Sequence, residues 1–298
     1  PLTMLKKDSV GMLLEEKFGT TLTRKKGVER AEFENGTVIV NNTDYTIPAE
    51  LLQKLNNKIK QANDDLSFYV VDLNTYATIG YNIDREMNSA CVVKAAYCLY
   101  VFQQIEKGNG SLDEILTFES RHYYPSSGTI KNSPFGTQFT LREVLYRTIN
   151  ISDNCGYYML VDRFGRDGYN RWLDSLGVQY LHLLRPTSNW TSVCTRDLAI
   201  IWNEIYSYYQ TGTPTAKTMF NYFLNAQYNY LKVLLPGYQI AHKSGWTQTT
   251  FNDAGIVLEH SEGPYLIAIL TSDREGNILC PLAKFLDDIM VDYFNWLD

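Results

Sequence analysis

Alternation of apolar and polar positions marks strands at both ends of this chain, and helical spacing fills the stretch between them. Residues 66–72 alternate and are rich in Phe, Tyr and Val, and 77–81 follows after a turn at Asn74, predicting a hairpin. Three further strands are predicted near the other end, at 238–243, 253–258 and 265–271. Ahead of the first hairpin, Pro48 opens a helix over 49–61 with Leu51, Leu52, Leu55 and Ile59 on one face. A second helix runs from Cys91 to about Lys107 and stops at Gly108-Asn109-Gly110. Helical spacing recurs at 141–148, 155–163, 169–175, 196–209 and 215–226, and an amphipathic helix closes the chain over 281–296.

This order predicts an α+β fold. One antiparallel five-stranded sheet is built from both chain ends and flanked by helices, with a helical lobe at about 91–230 inserted between them. Residues 1–48 read as an N-terminal appendage to a larger domain over 49–298. Within it Glu34-Asn35-Gly36-Thr37 is a turn signal between Ala31-Glu32-Phe33 and Val38-Ile39-Val40, which suggests a small hairpin.

Hydrophobic residues make up 45% of the chain and charged residues 20%, so a folded globular protein is expected rather than a disordered one. The net charge of -6 argues against a nucleic-acid partner, because phosphate contacts need clustered Lys and Arg. The one basic cluster, Arg24-Lys25-Lys26, reads as a solvated tail. No run approaches the ~20 apolar residues of a membrane span. Pro1-Leu2-Thr3-Met4 lacks the features of a signal peptide, and a chain that starts at proline is compatible with a removed targeting or anchoring segment.

Five cysteines are too few and too odd in number for a disulfide framework. Cys98, Cys155, Cys194 and Cys280 lie among apolar or helical neighbours and read as small buried residues. His122, His182, His242 and His260 show no paired spacing, so neither a metal site nor a cofactor is expected.

Cys91 has a chemical context. In Cys91-Val92-Val93-Lys94 a nucleophile stands three residues ahead of a lysine, on the same face of a helix, where the amine can hold or remove its proton. Val92, Val93, Ala95 and Ala96 make the surroundings of Lys94 apolar, which would lower its pKa and fit it to act as a base. A thiolate at a helix start is also favoured by the helix dipole. Ser152-Asp153-Asn154 stands at a helix start and Lys243-Ser244-Gly245 on a late strand. Taken singly, the first of these also reads as an N-cap and the second as a strand end before a turn.

Taken together and in this order, the three motifs resemble those of the class A β-lactamase and penicillin-binding protein superfamily, S-x-x-K, S-D-N and K-T-G. Cys91 stands in the serine position, and Ser244 replaces the threonine of the third motif. The resemblance covers about 49–298 and implies a β-lactamase/transpeptidase-like fold. It implies that Cys91 attacks the carbonyl of a β-lactam or a D-Ala-D-Ala-type peptide while Lys94 takes its proton. Ser152 and Lys243 would relay a proton to the leaving nitrogen, and Asn154 would hold the substrate's side-chain amide. Ser244 and Thr247 would receive the substrate carboxylate beside Lys243. The backbone N–H groups of Cys91 and Trp246, reached through Gly245, would form the oxyanion hole. Tyr124 is a candidate for the cleft wall.

Class A β-lactamases use a loop glutamate to activate the deacylating water. Here no glutamate lies between Asn154 and Asn203, and the loop 184–190 has no carboxylate. The expectation is therefore a D,D-peptidase-like or penicillin-binding acyl-transfer hydrolase with slow deacylation, working outside the cytoplasm. A true β-lactamase differs from it only in the water-activating group. A non-catalytic sensor of β-lactams or peptidoglycan would keep the same acylation site.

Overall fold

The computed structural model describes residues 29–33, 36–40, 47–62, 65–74, 77–227, 230–231, 235, 237–258, 263–272 and 277–297, with 29–33 and 36–40 described by their backbone. The Arg24-Lys25-Lys26 cluster, the turn residues Glu34 and Asn35, and His260 lie outside the described residues.

In chain order the elements are β1 (Glu29–Phe33), β2 (Gly36–Val40), α1 (Ala49–Gln61), β3 (Leu66–Asp72), β4 (Thr78–Tyr81) and β5 (Met87–Asn88). A 3₁₀ turn (Ala90–Val92) then runs into α2 (Val93–Glu106), followed by β6 (Ile115–Thr117), β7 (Gln138–Thr140), α3 (Leu141–Asn150), α4 (Asn154–Phe164) and α5 (Asp167–Leu176). The remainder is β8 (Ser192–Val193), α6 (Thr195–Gln210), α7 (Pro214–Leu224), β9 (Ile240–Thr247), β10 (Thr250–Val257), β11 (Tyr265–Thr271) and α8 (Leu279–Leu297).

The five predicted strands form one antiparallel sheet in the order β4-β3-β11-β10-β9, joining the two ends of the chain through β3 and β11. The hairpin of β1 and β2 extends that sheet to seven strands, because β2 pairs with β4 at Ile39↔Gly80 and Val40↔Ile79. The short pairs β5 with β8 and β6 with β7 carry no period of their own in the sequence.

All seven residues of β3 are buried, so the sheet is covered on both faces. Leu66, Phe68 and Val70 enter one core with Leu55 and Ile59 of α1 and Leu282 and Leu286 of α8. Tyr69 and Val71 point the other way, into a core shared with Leu198, Ile201 and Trp202 of α6. Fully burying a side chain of this size stabilises the fold by roughly 1.5–3 kcal/mol. Register is fixed in consequence, since a one-residue slip would exchange the two faces.

α2 is the axis of the helical lobe. Every residue from Val93 to Phe102 is buried, and within that stretch Lys94 is the one charged side chain. The 3₁₀ turn that leads into α2 lies against the sheet edge at β9. β9 runs four residues past the predicted end at Lys243, because Trp246 and Thr247 continue the ladder opposite Phe251 and Thr250. The third motif therefore lies inside a strand, alongside the first.

Candidate active site

Lys94 Nζ lies 3.5 Å from Cys91 Sγ, as the one-turn spacing predicts. The amine also donates to the Ser152 carbonyl at 2.6 Å and to Asn154 Oδ1 at 2.5 Å, and stands 3.1 Å from Ser152 Oγ. From the strand side, Lys243 Nζ reaches the same Ser152 Oγ at 3.1 Å and donates to the Ser244 carbonyl at 2.7 Å. The Ser152 hydroxyl has one proton and two lysine neighbours. It donates to one nitrogen while accepting from the other only when one lysine is a neutral amine.

Burial makes that state accessible. Lys94 is fully enclosed, and desolvation lowers its pKa against the opposing pull of the Cys91 and Asp153 charges. Lys243 is lowered to about 8, chiefly by burial and further by the charge of Lys94. Burial alone would raise the Cys91 thiol. The charges of Lys94 and Lys243, with hydrogen bonds from Ser152 and Lys94, outweigh it and bring the thiol below its ordinary range. The other buried cysteines show the reverse: burial raises Cys155, pushes Cys98 up to about 12 and raises Cys194 further. Cys280, expected to be buried, is half-exposed near the start of α8.

The local backbone explains how the three motifs meet. Asp153, and not Ser152, caps α4, accepting from the Gly156 N–H at 3.0 Å. Its other oxygen accepts from the N–H groups of Thr129 and Ile130 at 2.6 and 2.8 Å, tying the loop before α3 to the site. Gly128, at φ +105°, lets that loop approach, since a Cβ there would stand 2.2 Å from the Asp153 carboxyl carbon. With Asp153 committed to capping, the Ser152 hydroxyl is left for the lysines. Ser152 and Ala90 both hold left-handed φ values, +56° and +45°, a conformation non-glycine residues adopt at a cost.

A cavity of about 250 Å³ opens beside the sulfur, lined by Cys91, Ser126, Ser127, Ser152, Ser244, Gly245, Trp246, Thr247 and Gln248. Cys91 is partly exposed and the Trp246 indole is 58% exposed at the rim. Asn154 stands behind the sulfur, with Oδ1 4.0 Å from it and engaged by Lys94. Tyr124 is one ring back: it packs on Trp190 at 5.6 Å between centroids and is not among the described residues lining the cavity. Trp190 in turn lies over Lys94, with Nζ 5.6 Å from its ring centroid.

Trp190, Ser126, Ser127 and Gln248 carry no signal in the sequence that would single them out. Trp190 belongs to the loop read only for its missing carboxylate, and the serines belong to a loop placed by Asp153. Among the described residues no group of three His, Cys, Asp or Glu side chains could hold a metal ion, and no helix is long and apolar enough to cross a membrane.

A cysteine flanked by two buried lysines and a shared serine lies between an α-helical lobe and an antiparallel sheet, in a fold of the kind seen in β-lactamases and penicillin-binding proteins. The chain belongs to the beta-lactamase enzyme family, whose model matches residues 50–282. It is 27% identical over 128 residues to beta-lactamase VEB-1 of Pseudomonas aeruginosa, a match covering 42% of this chain and 43% of that protein, so under half of the relative's length is spanned. The solved structure of PBP-A superposes with a TM-score of 0.72 at 22% identity, covering 84% of this chain and all of that one (100%). A beta-lactamase from Sphaerobacter thermophilus superposes with a TM-score of 0.71 at 20% identity over 82% of this chain and 97% of its own. At those identities the superpositions establish the fold.

Proposed function

We propose that this protein is a cofactor-free acyl-transfer hydrolase of the penicillin-binding, D,D-peptidase-like type, acylated on Cys91 by β-lactams or D-Ala-D-Ala-type peptides and slow to release the acyl group. The observation that carries this reading is the convergence of Lys94 and Lys243 on Ser152 beside a sulfur that opens onto a cavity with no carboxylate among its described lining residues.

In the proposed acylation, Lys94 holds the proton of Cys91 and the thiolate attacks the substrate carbonyl, forming a C–S bond. The tetrahedral intermediate then has two possible leaving groups. A thiolate leaves more readily than an amide anion, so the intermediate returns to reactants unless the nitrogen is protonated first. Ser152, 3.1 Å from both lysine nitrogens, is placed to deliver that proton from Lys243. Relief of ring strain makes a β-lactam the more favourable donor. The carbonyl oxygen would be met by the N–H groups of Cys91 and Trp246, and the substrate carboxylate by Ser244, Thr247 and the Lys243 ammonium.

Deacylation requires a base for water. Trp190 stands on the loop side of Lys94, its ring centroid 5.6 Å from Nζ, and its indole offers no acceptor for a proton from water. Incubation with a fluorescent penicillin tests the reading: covalent labelling that survives denaturation is expected, at close to one label per chain. Rapid multiple-turnover hydrolysis with no retained label would contradict it and favour a true β-lactamase.

A further inference from the structure

Cys91 and Lys94 set an oxidisable sulfur beside an amine that is enclosed and held in place. We infer that this pair is a reversible oxidation site: hydrogen peroxide converts Cys91 to a sulfenic acid, and Lys94 condenses with it to close an S–N bond that shuts the site until a thiol reduces it. No acyl donor takes part, so the device acts on the resting protein.

The sulfur is partly exposed and opens onto a cavity of about 250 Å³ whose lining includes Ser126, Ser127, Ser152 and Ser244, a polar space that admits a peroxide. Lys94 and Lys243 favour the thiolate, the form that peroxide oxidises, whereas burial raises Cys98, Cys155 and Cys194. Lys94 Nζ stands 3.5 Å from Cys91 Sγ and is fixed there by the Ser152 carbonyl at 2.6 Å and Asn154 Oδ1 at 2.5 Å. Both oxygens only accept. A neutral Lys94 amine therefore gives its two hydrogens to them, and its lone pair is left on the side of the sulfur and the Ser152 hydroxyl. Burial favours that neutral amine. Lys243 is engaged instead by Ser152 Oγ and the Ser244 carbonyl. Cys98 lies two turns further along α2, about 10 Å by helical rise and too far for a disulfide with Cys91.

In the first step the peroxide O–O bond breaks and an S–O bond forms. The sulfur is oxidised by two electrons, and the second oxygen leaves as water with the proton that Lys94 held, which makes Lys94 the neutral amine the next step needs. In that step the Lys94 lone pair attacks the sulfur, an S–N bond forms, and the sulfenic hydroxyl leaves as water with one amine proton. Two thiol molecules reverse the link. The first takes the sulfur and frees the amine, and the second frees Cys91 and departs with the first as a disulfide.

The test treats the intact protein with hydrogen peroxide, removes the peroxide with catalase, unfolds the chain and labels its remaining thiols with iodoacetamide. The expected product is lighter than the untreated chain by two hydrogens and carries one label fewer. In it trypsin no longer cuts after Lys94, and peptide mapping joins Cys91 to that lysine. Dithiothreitol should restore the label and the cut. Penicillin G labelling should fall at least about tenfold on peroxide treatment and return with the free thiol. Lys94→Met should stop at a heavier sulfur bearing one or more oxygens, and native protein unfolded in urea before peroxide should give no Cys91–Lys94 link. An oxygen-bearing Cys91 in the native protein with Lys94 still cut, a link to Lys243 or a disulfide in its place, oxidation of Cys280 ahead of Cys91, or the same link formed in urea overturns the inference. Penicillin G labelling that persists in the linked protein overturns it as well.

Discussion

Gly245 of β9 presses on the backbone of Cys91: a Cβ at this glycine would stand 2.5 Å from the Cys91 nitrogen and 2.8 Å from that of Val92. The two atoms are backbone and cannot swing aside. The edge strand and the start of α2 are thus held closer than any other residue at 245 would permit.

Gly245→Ala should therefore force β9 away from the 3₁₀ turn. Acylation by penicillin G should slow more than tenfold, and chemical denaturation should show a loss of about 1–3 kcal/mol. Unchanged acylation would mean that the close approach has no part in positioning the sulfur.

Lys94→Met removes the amine and keeps the volume. Acylation should fall by about 10²–10⁴. The pH profile of Cys91 alkylation by iodoacetamide should also move to higher pH, since the Lys94 charge is a main cause of the lowered thiol pKa. A merely structural lysine would leave that profile in place.

Much of this was legible in the chain. The residues of β3 were delimited by their alternation, and the three motifs by their spacing, because both depend on local periodicity. The true end of β9 was not, since Ser244-Gly245-Trp246-Thr247 reads as polar and turn-like and becomes strand only through its pairing with β10. Trp190 was invisible for a related reason. Its place over Lys94 depends on where a loop closes in three dimensions, which no period records. The same holds for Ser126 and Ser127, set by the hold of Asp153 on Thr129 and Ile130.

Asp153→Ala removes the acceptor of three backbone N–H groups, those of Gly156, Thr129 and Ile130. Unfolding free energy should drop by roughly 3 kcal/mol or more, measured by urea titration. Loss of under about 0.5 kcal/mol would show that water replaces the carboxylate.

Lys243 gives the site a pH dependence whose sign follows from its pKa of about 8. Below that value it is an ammonium, which on the proposed reading attracts the substrate carboxylate, and above it a neutral amine, which does not. The apparent affinity for penicillin G should weaken as pH rises through about 8, and Lys243→Arg should remove the inflection. Affinity that strengthens over that interval would assign the carboxylate to another group.

The central claim is that a nucleophilic sulfur at position 91 forms a persistent acyl adduct. Intact-mass spectrometry over a time course with penicillin G, followed by peptide mapping, tests it directly. The expected result is a mass gain of one penicilloyl group, mapped to Cys91, absent in Cys91→Ala, retained in Cys91→Ser, and long-lived once excess drug is removed. No mass gain, or an adduct mapped to another residue, would contradict the account.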